Sequence, residues 1–258
     1  MPTDPKILWP PAMIPPRFHA GDVHLWCAGL DEVDNELFEH LLSDDERQRT
    51  GRLQFDRDRR RFVAARGLLR EILARYLGAR PADLRFDYGR FGKPALAGPA
   101  AGRELQFNLS HSGALALYAI TRGEPIGVDL EQVRPMENID VIAKRFFRPA
   151  EADLLRRLGP DRQLETFFQL WTQKEALVKA RGVDLDDTLT ASDYGSLAYH
   201  SRARGREPEH PLIVTRLQPA AGYTAAVAFA GLNPHLHCWQ WVSRIPAGIQ
   251  RAPVANCA

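Results

Sequence analysis

Three carboxylates stand out by their spacing. In the run Ile126-Gly127-Val128-Asp129-Leu130-Glu131, apolar Ile126, Val128 and Leu130 alternate with Gly127, Asp129 and Glu131. That is the period of a strand, and it sends Asp129 and Glu131 to one face. At a rise of about 3.3 Å per residue they lie roughly 6 to 7 Å apart along the chain, close enough to grip one hard cation. Alone, such a pair is equally an exposed strand face with solvated acids. Glu175 shifts the balance, because it interrupts a helical stripe of Leu164, Phe167, Phe168, Trp171 and Val178, where an unpaired carboxylate is costly to bury. Three carboxylates suit Mg2+, which retains waters and takes phosphate oxygens, and no His or Cys cluster with ligand spacing competes for a softer metal.

Lys179 follows Glu175 by one helical turn, so the two are neighbours on one surface. The pair is either a helix-stabilising salt bridge, with Lys174 a second structural partner, or a base and a cation suited to phosphoryl transfer. Ser110-His111-Ser112-Gly113 is expected in a turn between strands, where hydroxyls, imidazole and backbone amides bind phosphate or simply face water. Lys93, in a Gly-Lys-Pro turn, carries the same two readings. Ten arginines between Arg47 and Arg75, against Asp56, Asp58, Glu71 and, just upstream, Asp45, form a cluster that could hold a polyanion.

The elements that must position these residues follow from periodicity. Val23–Ala28 reads as a strand, followed by a polar helical region from about Asp31. Apolar residues at Ala65, Leu69, Ile72, Leu73 and Tyr76 form one face of a helix that Gly78 caps. Arg66 falls in or beside that stripe and needs an anionic partner. Strands are expected at Ala114–Ile120, Ile126–Glu131, Tyr223–Ala230 and Cys238–Val242, and a long helix from about Leu164 to Arg181 with Gly182 as its cap. The first twenty residues hold six prolines and read as an extended lead.

Composition bounds the class without naming a function. With 45% hydrophobic and 26% charged residues and a net charge of +2, the chain is an ordinary globular protein, too mildly basic for bulk binding to nucleic acid. Its three scattered cysteines, Cys27, Cys238 and Cys257, read as reduced thiols. No apolar run reaches the roughly 20 residues of a membrane span and no signal-peptide core is present, so a cytoplasmic address is expected.

Together, FGKPAL at 91–96, FNLSHSG at 107–113, IGVDLE at 126–131, RFF with the following Glu151, and WTQKEALVKARG at 171–182 resemble the Sfp-type 4'-phosphopantetheinyl transferases in order and spacing. The resemblance spans roughly Leu41 to Ala230. It implies an α+β fold of two similar subdomains in a pseudo-dimer, with a Pro-rich lead at 1–20, an N-terminal subdomain at 21–122 that contacts coenzyme A, a C-terminal subdomain at 123–243 with the metal ligands and catalytic helix, and a tail at 244–258. It further implies Mg2+ on Asp129, Glu131 and Glu175, with Glu175 also the base and Lys179 a phosphate contact. Lys93, Ser110 and His111 would hold coenzyme A, His111 at the 3'-phosphate, with Arg49 and Arg61 nearby. The expected reaction moves phosphopantetheine to a serine of an apo acyl, peptidyl or aryl carrier protein, catalysed by a monomer without membrane or nucleic-acid partners.

The sequence departs from the family pattern in one segment. Members often carry lysines in the stretch equivalent to Ser43–Arg49 and a threonine just after the Arg61 position, where this chain has Glu46, Arg49 and Phe62. Arginine can replace lysine against phosphate, but Glu46 cannot. The rival function is a non-enzymatic nucleic-acid-binding protein that uses the Arg47–Arg75 segment.

Overall fold

The computed structural model describes residues 8–101, 104–183, 211–231 and 234–243. The expected tail at 244–258 and the start of the lead lie outside them.

Two halves repeat one design. In the first, β2 (Asp22–Gly29), β5 (Leu105–Ser112) and β6 (Leu115–Arg122) carry the 22-residue helix α3 (Asp56–Leu77). In the second, β7 (Ile126–Gln132), β8 (Leu212–Leu217) and β9 (Tyr223–Ala230) form an antiparallel sheet in the order β7-β9-β8, and the 22-residue α6 (Pro160–Arg181) packs on it. Both long helices stop at a left-handed glycine, Gly78 with φ 62° and Gly182 with φ 68°, a conformation that costs glycine little. Shorter helices complete the chain: α1 (Asn35–Glu39), α2 (Asp44–Gly51), α4 (Ile139–Phe146) and α5 (Pro149–Arg156), with β3 (Arg85–Tyr88) and β4 (Pro94–Ala97) as a small hairpin.

Strand alternation builds the layers. Trp26 and Ala28 of β2 face α3 and meet Leu68, Leu69 and Ile72. Val23, Leu25 and Cys27 face the other way and meet Val128, Leu130, Val227 and Phe229 of the second sheet. Ala176 and Ala180 of α6 close the far side against Ala226 and Ala228. Because Ile126, Val128 and Leu130 are committed to the core between the sheets, the intervening Gly127, Asp129 and Glu131 are turned to the α6 side.

Three expectations are corrected. Ser110, His111 and Ser112, expected in a turn, are strand: β5 continues through Ser112, and the turn begins only at Gly113, where φ is 56°. The proline-rich lead is not wholly separate, because β1 (Pro11–Ala12) pairs in parallel with β10 (His235–Trp241). Finally, β10 pairs in parallel with β2, so the first sheet runs β1-β10-β2-β6-β5 and the chain's last described strand returns to the N-terminal half.

Candidate active site

A glycine sets the distance between α6 and the sheet. A Cβ built on Gly127 would lie 2.1 Å from the Ala176 carbonyl oxygen and 2.3 Å from the Ala180 nitrogen, so α6 backbone rests directly on β7. From there Lys179 donates to Asp129 Oδ1 at 2.6 Å and to Ser110 Oγ at 3.1 Å. Ser110 Oγ in turn donates to Asp129 Oδ1 at 3.0 Å. Asp129 is only 4% exposed, and its second oxygen, Oδ2, is buried without a hydrogen-bond partner.

The polar residues of β5 alternate toward β7 and bind the halves together. Asn108 Oδ1 accepts from the Val128 amide at 2.8 Å, Ser110 reaches Asp129, and Ser112 Oγ donates to Glu131 Oε2 at 2.7 Å and accepts from the Gln132 amide at 3.1 Å. Burial pushes the Glu131 carboxyl above the usual range; the neighbouring charge of Asp129 adds to that and the Ser112 hydrogen bond opposes it.

Glu175 is half-buried on α6. Trp171, Glu175 and Lys179 stand one turn apart on one stripe. The Lys179 end meets Asp129, and the Trp171 end lines a cleft with Glu131, so Glu175 occupies the turn between. Both lysines offered as structural partners of Glu175 are engaged with other carboxylates: Lys174 with Glu151 at 2.8 Å and Lys179 with Asp129.

Two clefts flank the carboxylates. One, of about 330 Å³, is lined by Lys93, Ser110, His111, Lys179, Phe62 and Phe91 among others. His111 lies on its rim, with its pKa lowered by the surrounding protein and then by the Lys179 charge. Lys93 donates to the Ile126 and Lys179 carbonyls at 2.7 and 2.6 Å, so it also stitches the halves. The other cleft, of about 390 Å³, has Glu131 at one side of a wall of Met136, Ile142, Phe167, Phe168 and Trp171; its helical stripe was visible in sequence, its concavity was not.

The arginine segment is mostly neutralised from within. Glu46, with 0% exposure, accepts from Arg66 Nε at 2.6 Å and Arg70 Nε at 2.8 Å, a salt bridge to both guanidinium groups. Thus the residue that departs from the family pattern is the anion that Arg66 requires. Arg61 grips both oxygens of Asp31 at 2.7 and 2.6 Å, and Arg49 stacks 3.9 Å over the Tyr88 ring. Neither lines either cleft, and Arg47 and Arg59 pair with Asp44 and Asp56. The nucleic-acid reading finds no support here.

The ligand atoms of Asp129, Glu131 and Glu175 do not meet within 4.8 Å of one another, but their chemistry suits a hard divalent cation: all are carboxylate oxygens, and Asp129 Oδ2 is buried and unsatisfied by protein, a costly state unless a ligand completes it.

Comparison with known proteins agrees in both halves. Residues 31–122 match the family described as 4'-phosphopantetheinyl transferase, N-terminal, and residues 125–226 match the 4'-phosphopantetheinyl transferase superfamily. The chain is 40% identical over 228 residues to the 4'-phosphopantetheinyl transferase HetI of Nostoc sp. (strain PCC 7120), covering 85% of this chain and 92% of that protein. It is 31% identical over 205 residues to the 4'-phosphopantetheinyl transferase Sfp of Bacillus subtilis (strain 168), covering 78% and 88%. Matched along both halves, the chain belongs to the 4'-phosphopantetheinyl transferase superfamily.

Proposed function

We propose that this chain transfers the 4'-phosphopantetheine group of coenzyme A to a serine of an apo carrier protein, releasing 3',5'-ADP. The observation that carries the reading is the buried, unsatisfied Asp129 Oδ2 beside Lys179 and Ser110, two residues that line the basic cleft. We divide the chain near Arg122, with the donor in the cleft between halves, where ligand sites commonly form. Mg2+ held by Asp129, Glu131 and Glu175 would supply charge neutralisation at the pyrophosphate oxygens.

The chain's own residues do the rest. His111 reaches the 3'-phosphate, and Ser110 with Lys93 holds phosphate oxygens along the 330 Å³ cleft. Glu175 accepts the proton of the carrier serine as its oxygen attacks the β-phosphorus and the bond to 3',5'-ADP breaks. Lys179 steadies the departing oxygens. Arg49 and Arg61 are assigned to the adenylate end by resemblance, and use of Arg61 there requires it to exchange Asp31 for phosphate. The apolar 390 Å³ cleft beside Glu131 admits the carrier segment. We assign the chain to the cytoplasm as a monomer; no helix among the described residues is long and apolar enough to cross a membrane.

The test is incubation with coenzyme A, Mg2+ and a panel of apo carriers, followed by intact mass. A phosphopantetheine increment that chelation abolishes and Mg2+ restores is expected. No increment on any carrier, with the protein folded, would overturn the reading.

A further inference from the structure

Far from the carboxylates, the parallel register of β2 and β10 assembles a second group of metal-ligand side chains. His235 pairs with Asp22 and His237 with His24, and alternate residues on neighbouring strands share a face. The chain entering β2 adds His19. Four imidazoles thereby surround one carboxylate that is 2% exposed. His237 Nε2 is 3.2 Å and His235 Nδ1 3.8 Å from Asp22 Oδ1, while His19 Nδ1 is 3.3 Å and His24 Nε2 3.6 Å from Asp22 Oδ2. The ligand atoms of Asp22, His24 and His237 all lie within 4.8 Å of one another.

His24 makes this more than a polar cluster. It is fully buried, and its Nε2 has no hydrogen-bond partner. Its other nitrogen, Nδ1, lies 2.8 Å from Tyr76 Oη, which also accepts from Trp26 Nε1 at 2.9 Å. A ring held at Nδ1 by an outer partner while Nε2 faces a carboxylate is the arrangement of metal-ligating histidines. With a cation on Nε2, the imidazole proton sits on Nδ1 and donates to Tyr76.

We infer that Asp22, His24 and His237 form a Zn2+ site, with His19 or His235 as the fourth ligand. Zn–N and Zn–O bonds of about 2.0 to 2.2 Å in a tetrahedron place neighbouring ligand atoms roughly 3.3 Å apart, the spacing already present around Asp22. Imidazole and carboxylate suit a borderline cation rather than Mg2+. The rings are packed in place: Phe18 stacks on His24 at 4.2 Å and Trp239 on His237 at 5.7 Å. His237, His235 and His19 have side chains 42%, 68% and 76% exposed, which gives the ion a path from solvent. The site is separate from the catalytic carboxylates: Ser110 aligns through Leu117 with Cys27, five residues along β2 from Asp22, or roughly 16 Å at a strand's rise. Its role is to pin the strap before β2 to the returning strand β10, adding stability in proportion to metal binding.

The experiment uses untagged, chelator-stripped full-length protein in excess Mg2+, titrated with Co2+ and then Zn2+. Expected are one equivalent of Co2+ with the intense visible bands of tetrahedral coordination, their loss on Zn2+ addition, and a rise in thermal midpoint with Zn2+. His237→Ala, at a partly exposed ring, should weaken Zn2+ binding by about 10-fold or more and abolish the Zn2+-dependent rise. Phosphopantetheine transfer by wild-type and variant should be alike at low temperature. If His24→Ala does not fold, His237→Ala decides the matter. Absence of stoichiometric Co2+ or Zn2+ binding, or unchanged binding in His237→Ala, overturns the inference.

Discussion

Glu46 and Asp129 are both carboxylates taken almost entirely out of water, 0% and 4% exposed, and both sit against cations. They differ in what is left over. Glu46 receives two guanidinium groups, Arg66 and Arg70, across its two oxygens and the amide of Ser43 besides. Asp129 receives one half-exposed ammonium and one hydroxyl on Oδ1, and nothing from the protein on Oδ2. A saturated buried ion pair holds elements together, here α2 to α3. A buried carboxylate with an unsatisfied oxygen is incomplete without a ligand. Under the function proposed above, the difference separates structural charge from functional charge within one small protein.

The largest expected effect breaks the structural side of that contrast. Glu46→Ala leaves two buried guanidinium groups without their anion and should destabilise the fold by about 3 to 5 kcal/mol, read as a lowered midpoint in urea unfolding, while any folded fraction keeps its turnover. A midpoint near wild type would mean that Arg66 and Arg70 find other partners cheaply.

On the functional side, Asp129→Asn should lower turnover about 100-fold or more while shifting the unfolding midpoint little, since Lys179 is 28% exposed and stays hydrated. Glu175→Gln should likewise lose about 100-fold in turnover through the missing base. Near-normal turnover in Glu175→Gln at raised Mg2+ would limit that residue to metal binding. Gly127→Ala mixes the two effects. Its new methyl group must displace α6 backbone, so both stability, by about 1 to 3 kcal/mol, and turnover should fall.

The smallest effect sharpens the basic cleft. His111→Ala should weaken coenzyme A by about 10- to 20-fold, near the lower end of the roughly 1.5 to 3 kcal/mol of a charge-assisted contact, and leave 3'-dephospho-coenzyme A nearly unaffected. Equal weakening of both donors would give His111 a purely architectural part.

Much of this is legible in the amino-acid sequence alone. Alternation found β7 and its shared carboxylate face, helical periodicity found α3 and α6, and left-handed glycines marked their ends at Gly78 and Gly182. The rest was hidden where tertiary pairing decides. Ser110, His111 and Ser112 have poor strand propensity and read as a turn, yet pairing with β6 on one side and the bonds of Ser110 and Ser112 to β7 on the other hold the segment extended. Glu46 looked like a misfit at a phosphate site because its partners, Arg66 and Arg70, lie 20 and 24 residues away. The histidines around Asp22 escape a reading by sequence spacing for the same reason: Asp22 and His237 are 215 residues apart, and the parallel pairing of β10 with β2 joins them.

The most direct test of the account is the intact mass of an apo carrier protein after incubation with coenzyme A, Mg2+ and either wild-type protein or Asp129→Asn, each shown to be folded by its thermal midpoint. The account predicts one phosphopantetheine increment with wild type and almost none, in the same time, with Asp129→Asn. Full modification by Asp129→Asn would contradict it, because the buried carboxylate oxygen on which the site is built would then have no part in the reaction.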